Sequence, residues 1–347
     1  VVAGETVQYK ANEHYWKGEP KLDGVVVKVV PSSSAAVALQ NGEYDMAVGF
    51  GATQYDQIES LENIEILARE ELAYTYLGFK LGKMDTEAGQ VVMDPNAKMA
   101  DKNLRKAMGY ALNIEEVSDV YYYGLRSRAN SFIPPVFASF HNADLPGYTY
   151  DPEKAMELLD EAGYVDKDGD GIREDKEGNP LEIRLATMSG DDIAEQITQY
   201  WLQNWADVGL NVTLTTGRSI EFNAFYDKVQ ADDPEIDIFM GAWGTGTNPS
   251  PMGLYSNDAA FNFSRFATEE SQELLVAIDS PEAFDTDFRK EKLLAWEELM
   301  AEEAPVIPMN NRLEITPVNK RVKNFSIDYT SDLGLEDVQL TADAPIK

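Results

Sequence analysis

The sequence predicts an α/β fold, on three observations. Residues 24–30 (GVVVKVV) form a continuous apolar run of strand length, of the kind buried on both faces of a sheet. A helix over 35–41 follows, with Ser32, Ser33 and Ser34 as possible caps and Gly42 as its stop. A second strand over 44–48 completes a strand–helix–strand unit, expected to cross over right-handed. The same alternation returns later: strands at 181–186, 210–214 and 236–240 are separated by helices at 193–208 and 220–229. Finally, 347 residues at 44% apolar content are enough for about two lobes, each with its own core.

The remaining elements follow in order. Residues 6–10 alternate as a strand and 14–20 form a loop. Residues 73–79 (AYTYLGF) alternate aromatics as a strand, and 83–100, with no clear period, read as an excursion loop. Asp101 opens a helix with Leu104, Ala107, Met108, Ala111 and Leu112 at helical spacing. A second helical run covers 114–123, and 130–135 (NSFIPP) is a rigid extended stretch. Asp151 and Pro152 are the cap and first-turn proline of a helix that Gly163 ends. The helix over 193–208 buries Ile193, Ile197, Trp201, Trp205 and Val208, with Asp191 or Asp192 as its cap. Helices at 269–278 and 284–303 precede an extended 305–308 and strands at 314–318 and 322–327. No solenoid-length repeat is present.

Composition narrows the function. The formal net charge is −32, spread along the chain, which disfavours nucleic acids and anionic lipid surfaces as partners. There is no Cys, hence no disulfide, thiol nucleophile or thiolate metal site. No apolar run approaches a membrane span. The start, VVAGETVQYK, has no signal-peptide pattern and no initial Met, so a mature or trimmed product is expected. The two histidines, His14 and His141, lie in unrelated loops without metal spacing. No GxSxG elbow or phosphate loop occurs. Neighbouring acidic pairs such as Glu302 and Glu303 do not face each other and suit a solvated surface.

The best candidate site is the stretch after the 236–240 strand, GAWGTGTNPSP at 241–251. Its glycines permit close backbone approach and its prolines stiffen it. Thr245, Thr247, Asn248 and Ser250 supply hydrogen-bonding groups, and Trp243 is a large aromatic at the mouth. Such a loop suits a small-molecule pocket; the plainer alternative is an ordinary connection. Arg265 could grip a ligand carboxylate bidentately or form a surface ion pair. Residues 166–177 carry Asp166, Asp168 and Asp170, with the Ile172 carbonyl and Glu177 at calcium-loop spacing. Against a structural Ca2+ there, Arg173 occupies a position that such loops fill with an apolar residue. The alternative is a metal-free acidic turn.

Several stretches together resemble one family. They are His14-Tyr15-Trp16, LQNGEYD at 39–45, YLGF at 76–79, DKNLRKAMGYALNI at 101–114, ANSFIPP at 129–135, DPEKA at 151–155, DGDGIRE at 168–174, the central loop, FNFSR at 261–265 and APVIP at 304–308. In this order they resemble the extracellular solute-binding proteins of ABC importers for peptides, the oligopeptide/dipeptide and nickel group. The resemblance implies a periplasmic-binding-protein-like α/β fold with mixed sheets and two lobes closing over a ligand. It implies a partial first lobe at 1–76, a complete second lobe at 77–307 and a return segment at 308–347, with the N-terminal share of the first lobe lacking. It further implies a non-catalytic, monomeric protein at the extracellular face of the envelope, lipid-anchored or periplasmic, which captures peptides without a cofactor and delivers them to a membrane permease. A peptide- or pheromone-sensing receptor or adhesin on the same fold is the alternative. Trp243, Gly244, Thr245, Gly246, Thr247, Asn248, Pro249 and Arg265 are the implied ligand-binding residues. The family's central loop commonly carries an Asp that receives a peptide's α-amino group. The matching residue here is Asn248, which accepts a hydrogen bond but offers no charge.

Overall fold

Two long strands, Ile64–Phe79 and Val306–Asn319, carry the chain from one structural unit into the other. One unit comprises Val1–Glu70, Asp119–Arg126 and Leu313–Lys347; the second comprises Glu71–Ser118 and Ser127–Arg312. The sequence-based boundaries at 76/77 and 307/308 fall within these same two strands. The computed structural model describes every residue except Val1, Ala3, Asp191 and Asp192, and every side chain except also those of Ser32 and Ser33. The expected cap at Asp191 or Asp192 lies outside the described residues.

In the first unit, strands Thr6–Lys10 and Gly24–Lys28 pair antiparallel as a ribbon, with Tyr9 opposite Val25. The ribbon is exposed, Val26 at 57%, which corrects the expectation of a strand buried on both faces. An apolar run supplies the tendency to bury, but burial needs a covering layer, and the described residues of this unit provide none. Residues 44–48 form no strand; Met46 makes only an isolated bridge with Val318, so the expected crossover is absent. Helix Ser32–Gln40 begins inside the serine run, where Ser34 donates its hydroxyl to the Pro31 carbonyl at 2.9 Å. Ala35, Ala36 and Leu39 on this helix pack with Phe50, Ile58, Ile64 and Ile315 into the unit's core.

The main sheet has, among the described residues, six strands in the order Arg126–Arg128, Val306–Asn319, Ile64–Phe79, Ile238–Gly244, Glu182–Ala186, Asn211–Leu214. It is mixed: Ile64–Phe79 runs antiparallel to Ile238–Gly244, which is parallel to Glu182–Ala186, itself parallel to Asn211–Leu214. At Gly78 a Cβ would sit 2.4 Å from the Phe239 ring, so no other residue fits that contact. The supposed excursion loop at 83–100 contains a hairpin, Gly82–Asp85 with Gln90–Met93, whose turn is closed by Asp85 Oδ1 accepting the Glu87 and Ala88 N–H groups. Strands of four residues are too short to show a period. Likewise only Val322–Lys323 of the expected 322–327 strand pairs.

The helices of the second unit obey their local signals. Asp101 and Asp151 accept N–H bonds from Asn103 and Lys154 at 2.8 and 2.9 Å, and Gly163 closes helix Pro152–Ala162 at φ +90°. Trp201, Trp205 and Trp296 are core residues, and the Trp205 indole donates to the Met108 carbonyl at 3.0 Å. Buried Arg105 closes the end of helix Thr286–Glu303. Its Nε donates to the Ala304 carbonyl at 3.0 Å and its Nη2 to that of Glu303 at 2.5 Å.

Glu297 is fully buried on that same helix. Its Oε1 accepts the Ser131 hydroxyl and the Phe132 N–H (3.1 Å), which holds the extended 130–135 stretch, while Oε2 has no partner among the described residues. Burial pushes this carboxyl up to about 8. Between its ordinary value of 4.5 and about 8 the folded state keeps a proton that the unfolded state releases. This contribution is full below that window and is lost as pH rises through it, at up to about 1.4 kcal/mol per pH unit. Glu297→Gln keeps both accepted hydrogen bonds without the charge. Denaturant unfolding at stepped pH is expected to show the variant gaining on the native protein steadily from pH 5 to 8, and a parallel pair of curves would refute the raised pKa.

Candidate functional site

The central loop starts later than expected, because strand Ile238–Gly244 runs on through the first two glycines. Gly241 faces Tyr76, where a Cβ would lie 2.9 Å from the ring, and Trp243 stands opposite Tyr74 in the ladder. Trp243 is thus held by a strand end, which fixes its backbone more tightly than a loop would. Its ring is partly exposed and lies 5.5 Å from that of Phe261, itself half-exposed. Thr245 extends the tie to the neighbouring strand: its N–H and hydroxyl both donate to the Leu72 carbonyl, at 2.8 and 3.1 Å.

Beyond Thr245 the loop turns outward. Gly246 adopts φ +61°, a left-handed conformation that favours glycine, and Gly244, Gly246, Thr247 and Asn248 are exposed while Pro249 is buried. Asn248 Oδ1 accepts Arg289 Nη2 at 2.7 Å and the Ser250 N–H at 3.2 Å. Ser250 in turn donates its hydroxyl to Asp279 Oδ2 at 2.5 Å, and Arg289 Nη2 lies 3.3 Å from Asp279 Oδ1. The Arg289 guanidinium also rests over the Phe140 ring at 5.6 Å. The structure therefore brings Trp243 to Pro249 onto one stretch whose ends are anchored and whose middle is open. Arg289, Asp279 and Phe261 were missed from sequence. Phe261 lies ten residues beyond the loop and Asp279 and Arg289 lie further still, and no local spacing links them to it.

Arg265 is placed elsewhere in chemical terms. It is 1% exposed, and its donors go to Asp232 Oδ1 (2.8 Å), the Asn262 carbonyl (3.1 Å) and the Gln230 carbonyl (2.8 Å). Lys80 joins the same Asp232 carboxylate and donates to the Phe263 carbonyl at 2.8 Å. Burial lowers the Lys80 amine to about 8, against the pull of Asp232. Burial pushes the Asp232 carboxyl up, but the bonds from Arg265 and Lys80 outweigh it and hold it below its ordinary range. At 1% exposure the guanidinium is closed off from a ligand, so both sequence-based readings of Arg265, ligand clamp and surface pair, give way to a buried structural ion cluster.

The acidic turn gathers Asp166, Asp168, Asp170 and Glu174, whose carboxylate oxygens lie within 4.8 Å of one another. Glu174, not the exposed Glu177, closes the group, because its side chain turns inward and accepts the Lys167 N–H at 2.7 Å. Asp166 accepts N–H bonds from Gly169 and Gly171 (2.7 and 2.9 Å), and Asp170 accepts that of Ile172 (2.8 Å). These bonds help to shape the turn. His14 is exposed, and His141 Nδ1 lies 2.6 Å from the Ile133 carbonyl. Among the described residues no helix is long and apolar enough to cross a membrane.

Comparison with known proteins adds an independent line. The family model described as bacterial extracellular solute-binding proteins, family 5 Middle, matches residues 1–265. The oligopeptide-binding protein OppA of Lactococcus lactis subsp. cremoris is 35% identical over 348 residues, 98% of this chain and 58% of the relative. A solved structure of lactococcal OppA, complexed with an endogenous peptide in the closed conformation, superposes with a TM-score of 0.89 at 34% identity, over 98% of this chain and 64% of that one. The oligopeptide-binding protein AppA of Bacillus subtilis, solved with a nonapeptide, shares the fold at a TM-score of 0.76 and 22% identity. The chain thus spans somewhat under two thirds of the length of these relatives.

The ion cluster yields a stability test. Arg265→Ala leaves the buried Asp232 carboxylate with Lys80 alone. The variant is expected to lose roughly 3–5 kcal/mol in denaturant unfolding, whereas a loss below 1 kcal/mol would return Arg265 to the surface.

Proposed function

The chain belongs to family 5 of the bacterial extracellular solute-binding proteins, and from that premise we propose that it captures oligopeptides or peptide-like ligands for an ABC importer. In this reading the protein performs no chemistry on its ligand, needs no cofactor, acts as a monomer at the outer face of the envelope, lipid-anchored or periplasmic, and hands the ligand to a membrane permease. The observation that carries it is the 35% identity to an oligopeptide-binding protein across 98% of the chain.

The central loop supports the same reading. Trp243, held by the strand ladder with its ring partly open, offers an aromatic surface, and exposed Gly246, Thr247 and Asn248 offer polar groups beside it. Hydrogen bonds to a peptide backbone give affinity with little sequence preference, and a wet site tolerates varied side chains.

The test is isothermal titration of the protein with a mixed-sequence peptide pool. Trp243→Ala removes the aromatic anchor and is expected to weaken binding by about tenfold or more with little change in Tm. Unaltered affinity would move the site away from this loop, and failure of the native protein to bind any pool would reject the peptide reading.

A further inference from the structure

The hydrogen bonds around Asn248 determine what that residue can offer. Its Oδ1 already accepts from two donors, Arg289 Nη2 at 2.7 Å and the Ser250 N–H at 3.2 Å. Rotating the amide by half a turn would set its NH2 group against a guanidinium and a backbone N–H, three donors facing one another with no acceptor. The amide is therefore locked with oxygen inward and nitrogen outward. The residue is exposed, and among the described residues no oxygen accepts from its Nδ2.

Resting on the ligand-binding reading of this loop, we propose that Asn248 is a specificity residue that donates to an oxygen of the ligand, a peptide carbonyl or carboxylate, and does not receive an α-ammonium. An ammonium needs an acceptor, and the one side-chain acceptor that Asn248 possesses is occupied. The nearby Asp279 does not supply a substitute. Its two oxygens accept the Ser250 hydroxyl at 2.5 Å and face Arg289 Nη2 at 3.3 Å, so its charge is matched by a fixed guanidinium. Arg289 is the positioning residue: stacked over Phe140 and bonded to Asp279, it donates to the Asn248 oxygen and fixes the amide's orientation. The ligand class that follows is a peptide whose amino terminus is blocked or lies away from this loop.

The experiment uses a mixed-sequence pentapeptide pool synthesised in two forms, with free and with acetylated amino termini, titrated calorimetrically into the native protein. The two affinities are expected to agree within about threefold, since no full charge is exchanged at the terminus. Asn248→Asp introduces a charged acceptor and is expected to shift the ratio toward the free amine by about fivefold or more. Arg289→Met releases Oδ1 and is expected to raise the same ratio; a merely structural Arg289 would lower both affinities and leave the ratio fixed, which would overturn its positioning role. Repeating the native titration with a carboxy-amidated pool separates the two sources of oxygen: retained binding assigns a main-chain carbonyl, and lost binding assigns the terminal carboxylate. A native preference for the free amine of tenfold or more would overturn the inference and leave the proposed function standing. Failure of both pools to bind would remove the proposed function and the inference with it.

Discussion

The pairing of strand Ile64–Phe79 with strand Ile238–Gly244 is the constraint from which the candidate site follows. Two glycines make it possible. Gly78 leaves room for the Phe239 ring and Gly241 for the Tyr76 ring, so the two strands interleave aromatics at separations that a Cβ would forbid. The ladder then delivers Trp243 opposite Tyr74, and Thr245 is captured by the Leu72 carbonyl before the chain turns away. An open loop that starts from so fixed an origin can keep its polar groups in place without burying them.

Buried charge is handled differently in different parts of the second unit, and each solution has a distinct role. Arg105 satisfies backbone carbonyls at a helix end, with no carboxylate needed. Asp232 draws Lys80 and Arg265 onto one carboxylate and so ties the end of helix Phe222–Gln230 to the turn at 262–265. Glu297 lacks a cation and keeps its proton. In each case the ionisable group joins segments distant in sequence, a job that apolar packing does without direction.

Legibility followed the physics of each signal. The helices announced themselves through caps and 3.6-residue spacing: Asp101, Asp151, Pro152 and Gly163 act locally, and local rules found them. The strands at 182–186, 211–214 and 238–244 were legible as apolar runs for the same reason. What sequence could not supply was pairing. The run at 24–30 had the composition of an interior strand, but its partner is one antiparallel neighbour, and burial is a property of what covers a segment. Trp243 and Asn248 could be singled out by composition. The place of Arg265 depends on Asp232 and Lys80, which no local pattern links to it, and spacing carries no information on which of Glu174 and Glu177 turns inward. The interaction that orients Asn248 comes from Arg289, forty-one residues away.

The chain carries 61 acidic and 29 basic side chains, and many of the arginines are committed to internal partners. Arg105, Arg265 and Arg321 are almost wholly enclosed, and Arg128, Arg173 and Arg184 are largely covered. Arg128, Arg173 and Arg184 each hold an exposed carboxylate, of Glu115, Asp160 and Glu235, so what the outer skin presents unmatched is the acidic surplus counted in the net charge of −32. Carboxylates on such a skin repel one another in the compact state more than in an expanded one. Dissolved sodium or potassium screens that repulsion over about 8 Å at physiological ionic strength. Mobile counterions are thus participants in the folding equilibrium, and the surrounding brine supplies part of the positive charge that the polypeptide lacks.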